Sequence, residues 1–146
     1  MTAQDFCLAS AGGFFITGLL SGAWKYIAIT RSLEAKSPVY VDFAHRASLL
    51  YAFACGLIAT FCARSSFSER VNLTASIVLV TYFGLSVFGY LVHAALRDTD
   101  NQLQRPHRLG SKTIPNAAML VFMLSLIVAE VAAFSVIFAG WWVTPR

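Results

Sequence analysis

The stretch VNLTASIVLVTYFGLSVFGYLVHAAL, Val71 to Leu96, runs without one Asp, Glu, Lys or Arg. A hydrocarbon core about 30 Å thick is crossed by about 20 helical residues, so this stretch is long and apolar enough to span it. Three others have the same character and few charges: Phe6 to Ile29, Val41 to Ala63 and Ile114 to Val143. Helices are therefore predicted over about 6–29, 40–63, 70–96 and 114–142. The connections between them are too short to form a second domain. The expected fold is all-α, a single integral membrane four-helix bundle over residues 1–146. The composition agrees, with 58% hydrophobic and 12% charged residues, against about 45–50% and 25% in soluble domains.

Basic residues set an orientation, because positively charged loops remain cytoplasmic. Lys25, Arg31, Lys36, Arg46, Arg97, Arg105, Arg108 and Lys112 fall at one end of the predicted bundle, against Arg64, Arg70 and Arg146 at the other. We therefore expect a multi-pass protein of a bacterial inner membrane with both termini outside the cytoplasm. The formal charge of +4 follows from this topology, and the basic loops face anionic lipid headgroups. Nothing in the chain points to nucleic acid. The first segment lacks a basic leader and is as long as a true span, so it reads as retained rather than as a cleaved signal. Cys7 and Cys62 fall at the same outer ends of helices one and two. A disulfide there requires an oxidising compartment and close sulfurs; Cys55 reads as packing.

Local signals mark the connections. Small residues Gly18 and Gly22 stand four apart on helix one and permit a close helix contact. Pro38 and Pro115 suit the beginnings of helices two and four, and Trp141 with Trp142 closes helix four, where indoles favour the membrane interface. Arg97 to Thr113 is the longest loop, mixes both charge signs and could cover a cavity mouth.

Ionisable groups at membrane depth face the bundle interior or water. Helix two opens with Asp42, His45, Arg46 and Ser48; Asp42 and His45, and His45 and Ser48, are three apart and share a face. Tyr51 follows. Helix three offers Tyr90 and His93, also three apart and on the same level. A pocket at this end would use His45 as a metal or haem ligand and Tyr90 as an orienting hydroxyl. The competing expectation is that His45 is hydrogen-bonded to Asp42 and that Tyr90 and His93 are interfacial anchors. Glu130 lies near the middle of helix four and demands a partner, either as a substrate-binding or proton-transfer carboxylate or as a protonated acid bonded across helices.

Helix one's glycine-rich face, the run Tyr40-Val41-Asp42-Phe43-Ala44-His45-Arg46-Ala47-Ser48-Leu49-Leu50-Tyr51, and Phe88-Gly89-Tyr90-Leu91 stand in an order that resembles styrene oxide isomerase and its relative hydroxylaminobenzene mutase. The resemblance implies a homotrimer of four-helix subunits with haem b between neighbours. It maps the iron ligand to His45 and a substrate-placing hydroxyl to Tyr90. It also implies redox-neutral chemistry on a small apolar epoxide or hydroxylamine-like compound: ferric haem is the Lewis acid, and a hydride shift converts an epoxide to an aldehyde. This chain departs from the family pattern six residues after the histidine, where Tyr51 and Ala52 replace Asn and Gly. Tyr51 is a larger hydrogen-bond donor that would reshape the pocket.

Two other classes compete. Trimeric membrane glutathione transferases share chain length and helix number, but their Glu, Arg and Asn spacing at helix two is absent. A non-enzymatic small subunit or assembly factor of a larger complex would use Glu130 and the Arg97 to Thr113 loop as contacts.

Overall fold

The computed structural model describes residues 1–145, so Arg146, counted above with the outer basic residues, lies outside the described residues. Four helices are present: α1 (Ala3–Thr30), α2 (Val39–Cys62), α3 (Glu69–Leu96) and α4 (Asn116–Trp142). All four are long and apolar enough to cross a membrane, which makes this a multi-pass integral membrane protein by length and composition. The expected spans agree to within three residues at every end. One element was not expected: the α3–α4 connection contains a two-stranded antiparallel hairpin, β1 (Arg108–Leu109) and β2 (Lys112–Thr113). Gly110, at φ +61°, supplies the left-handed residue its tight turn requires.

The helix ends follow from local chemistry. Thr2 and Asp5 form a reciprocal capping box at α1, Asp5 N donating to Thr2 Oγ1 at 3.1 Å and Thr2 N to Asp5 Oδ2 at 3.2 Å, which satisfies two otherwise unpaired donors. Pro38 and Pro115 are the residues immediately before α2 and α4.

α1 packs chiefly on α2, and α4 on α3 and α2. The central core joins Cys7, Cys55, Ile58, Leu79, Phe83 and Ile137. Most other apolar side chains face outward; Leu20, Phe53, Phe88 and Val128 are examples. In α4 only Ala133, Ile137 and Gly140 are buried. A helix apolar on all sides with so little covered suits lipid rather than water.

The two ends of the described chain lie together. The Ala3 amide donates to Glu69 Oε1, Ser66 N donates to the Gly140 carbonyl at 3.1 Å, and Thr144 Oγ1 donates to the Arg64 carbonyl at 2.8 Å. The opposite end carries the α1–α2 and α3–α4 connections and is called the basic face below.

Candidate functional site

Asp42 does not hold His45. Its Oδ1 is 2.5 Å from Lys25 Nζ and its Oδ2 is 2.7 Å from Arg46 Nη2, so two cations occupy the carboxylate and tie α1 to α2. His45 turns instead to α1, where its Nδ1 lies 2.8 Å from the Gly18 carbonyl oxygen. Carbonyl oxygen only accepts, so Nδ1 carries a proton, and in the neutral ring Nε2 is the nitrogen with the free lone pair. The small residues of α1 make room for the ring. A Cβ on Gly22 would stand 2.8 Å from His45 Cε1 and 2.9 Å from Nδ1, but 3.6 Å from Nε2. The Nδ1–Cε1 edge therefore faces the α1 backbone, with Nε2 farther from Gly22. Gly18 is matched in the same way to Leu49, whose Cδ2 would lie 2.6 Å from an added Cβ.

Ser48 is buried and its hydroxyl donates to the Ala44 carbonyl at 2.7 Å, a helical back-bond that occupies its proton. Tyr51 stacks on Phe83, with centroids 4.1 Å apart and planes 12° apart.

Tyr90 is half-buried and His93 buried. Both pack against Tyr40, at centroid distances of 6.0 and 5.0 Å, and Phe43 meets Tyr90 edge-on at 6.0 Å. His93 Nδ1 is 2.7 Å from Asp98 Oδ1, with both side chains almost wholly buried. Asp98 Oδ2 also accepts from the Gly110 amide, and the Tyr40 hydroxyl oxygen accepts from the Gln102 amide. His107, buried beneath the same loop, hydrogen-bonds through Nδ1 to the Gln102 carbonyl at 3.1 Å. These contacts fasten residues 98–110 onto the ends of α2 and α3. Burial pushes the Asp98 carboxyl up, but the His93 and Gly110 hydrogen bonds outweigh it and hold the group below the usual carboxylate range.

The sequence did not single out Tyr40, Asp98, Gln102 or His107. Asp98 follows the end of α3, and only the left-handed turn at Arg97, φ +50°, carries it back to His93.

Glu130 lines a cleft of about 340 Å3 between α2, α3 and α4, otherwise walled by residues such as Ala54, Ile58, Leu79, Phe83 and Phe134. Its Oε1 is buried and has no hydrogen-bond partner among the described residues.

His45 and Tyr90 thus have different neighbours: the first faces α1, the second Tyr40 and Phe43. Among the described residues no group of three or more His, Cys, Asp or Glu side chains is placed to hold a metal ion. The three cysteines are free thiols, with Cys7 and Cys62 in the same buried cluster and Cys62 Sγ 3.5 Å from Ser76 Oγ. Comparison of the chain with protein-family models, curated proteins and solved structures found no match.

Proposed function

We propose that this chain is a haem-dependent isomerase of a bacterial inner membrane, with its basic face cytoplasmic and its termini outside, acting on a small apolar epoxide or hydroxylamine-like compound. The observation that carries this proposal is the 2.8 Å contact of His45 Nδ1 with the Gly18 carbonyl. A histidine that donates Nδ1–H to a carbonyl has its tautomer and ring plane fixed and offers Nε2 as a ligand. His45 would hold a haem iron through one such nitrogen, with no need of a cluster of side chains, so the donor set fits the group. When bound, ferric haem supplies Lewis acidity toward a substrate oxygen.

The remaining work falls to the chain itself. His45, wedged over Gly22, holds its nitrogen in place. The apolar helix faces exclude water from a reactive substrate. Tyr90, steadied by Tyr40 and Phe43, presents a hydroxyl that orients the substrate by a hydrogen bond. Since His45 and Tyr90 face different neighbours within one chain, the proposal includes a homotrimer in which adjoining subunits complete the pocket.

The test is an absorption spectrum of the gently solubilised protein before and after dithionite. A Soret band near one haem per subunit, lost in His45→Ala, is expected. Tyr90→Phe keeps the band and lowers turnover of an aryl epoxide. No band after expression with ample haem overturns the proposal.

The orphaned Oε1 of Glu130 favours a second reading, a non-enzymatic small subunit or assembly factor whose partner supplies a donor within the membrane. Co-purification with a stable larger partner supports that reading; isolation as a free homotrimer counts against it.

A further inference from the structure

A cavity of about 480 Å3 opens on the basic face, beside the α1–α2 connection and the end of α3, and its lining includes Arg31, Lys36, Arg97, Ser32, Ser37 and Trp24. No acidic side chain lines it. Arg31 and Arg97 form no ion pair among the described residues. Lys36 is paired only with Glu34, and both side chains are about three-quarters exposed, so that pair is readily exchanged for another anion. Asp98, the carboxylate next in sequence to Arg97, is held by His93 and the Gly110 amide and is not free to neutralise the guanidinium.

The backbone adds an independent sign. Arg97 is the residue that ends α3, at φ +50°, a left-handed position that favours glycine. Ala35, within the α1–α2 connection, is also left-handed, at φ +53°. Non-glycine residues held in such left-handed positions cluster at ligand-binding sites.

We propose that this cavity binds a phosphate group, with Arg31 and Arg97 as its principal cations and Lys36 as the exchangeable third. Guanidinium groups match phosphate oxygens through paired N–H donors. Trp24 and Ile27 on the α1 side of the cavity provide apolar surface for an attached chain, so the phosphate has two sources: an anionic phospholipid headgroup or a soluble phosphate. The site is separate from His45 and does not depend on haem.

The test compares the full-length wild type with Arg31→Gln/Arg97→Gly. Delipidated protein is titrated with phosphatidylglycerol and with phosphatidylcholine by native mass spectrometry, and with inorganic phosphate by calorimetry. Arg97→Gly removes the cation while suiting the left-handed turn, so its unfolding midpoint should match or exceed that of wild type. Phosphatidylglycerol is expected to bind wild type in preference to phosphatidylcholine and about thirtyfold more weakly to the double variant. Binding of inorganic phosphate to wild type that is lost in the double variant supports the soluble source. Equal affinities of wild type and double variant for both phosphatidylglycerol and inorganic phosphate overturn the proposal. If the double variant fails to fold, Arg31→Gln alone carries the same comparison: a drop in affinity supports the site and none overturns it.

Discussion

Asp98 closes back on His93, its Oδ1 lying 2.7 Å from the imidazole Nδ1, although the two residues sit on opposite sides of the end of α3. This pair, with Gly110 on the second carboxylate oxygen, makes the α3–α4 connection a fixed cap rather than a free loop. Removing the carboxylate leaves two buried donors unpaired. Asp98→Ala is expected to cost about 2–4 kcal/mol and to speed amide exchange across residues 98–110. Unchanged exchange there would show that the cap does not hang on this residue.

The same group gives a pH dependence of known sign. A carboxyl whose folded pKa lies below its unfolded one stabilises the fold above the unfolded value, about 4. That stabilisation is lost as pH falls through the folded value. The wild-type unfolding midpoint should therefore drop more steeply below about pH 4 than that of Asp98→Asn, in which the titrating group is absent. Parallel curves for the two proteins would remove Asp98 from the acid response.

Glycines on α1 should respond very differently to the same change. A Cβ on Gly22 meets the His45 ring at 2.8 Å, whereas one on Gly12 meets nothing within 4 Å. Gly22→Ala is expected to cost about 1–3 kcal/mol through overpacking and to disturb any haem signal. Gly12→Ala should be neutral or slightly stabilising, since alanine is the better helix former by about 1 kcal/mol. Equal thermal stabilities of the two variants would contradict the placement of the imidazole over Gly22.

Cys7 and Cys62 lie in one buried cluster although the chain separates them by most of two helices. Mild oxidation is expected to join them within one chain, with loss of two hydrogens, while Cys55 remains alkylatable. Peptide mapping without reductant reads this directly. A cross-link through Cys55, or none at all, would show that the outer ends of α1 and α2 do not bring this pair together.

Glu130→Leu replaces an orphaned polar oxygen with apolar volume. In the isolated chain it should raise stability by about 1–2 kcal/mol, the penalty recovered when an unsatisfied buried group is removed. A loss of stability, or a shift in the sedimenting mass, would mean that another chain normally satisfies Oε1.

Span number, span limits and the concentration of positive charge at one end were legible in the sequence. Each depends on local composition measured against bilayer thickness, and Val71 to Leu96 meets that condition without reference to any neighbour. The glycine pair at Gly18 and Gly22 also announced a close helix contact, but not that His45 would fill it. Which side chains meet was decided by tertiary structure. Asp42 satisfies Lys25 and Arg46, leaving His45 to Gly18, because the rotation of α2 about its axis sets which groups reach α1. Asp98 reaches His93 because the chain turns left-handed at Arg97, and the Gly110 hairpin then brings back the amide that completes the carboxylate's hydrogen bonds. Periodicity along one helix carries no information about the rotation of the next or about a reversal beyond its end, so these partners appear only when the helices are packed together.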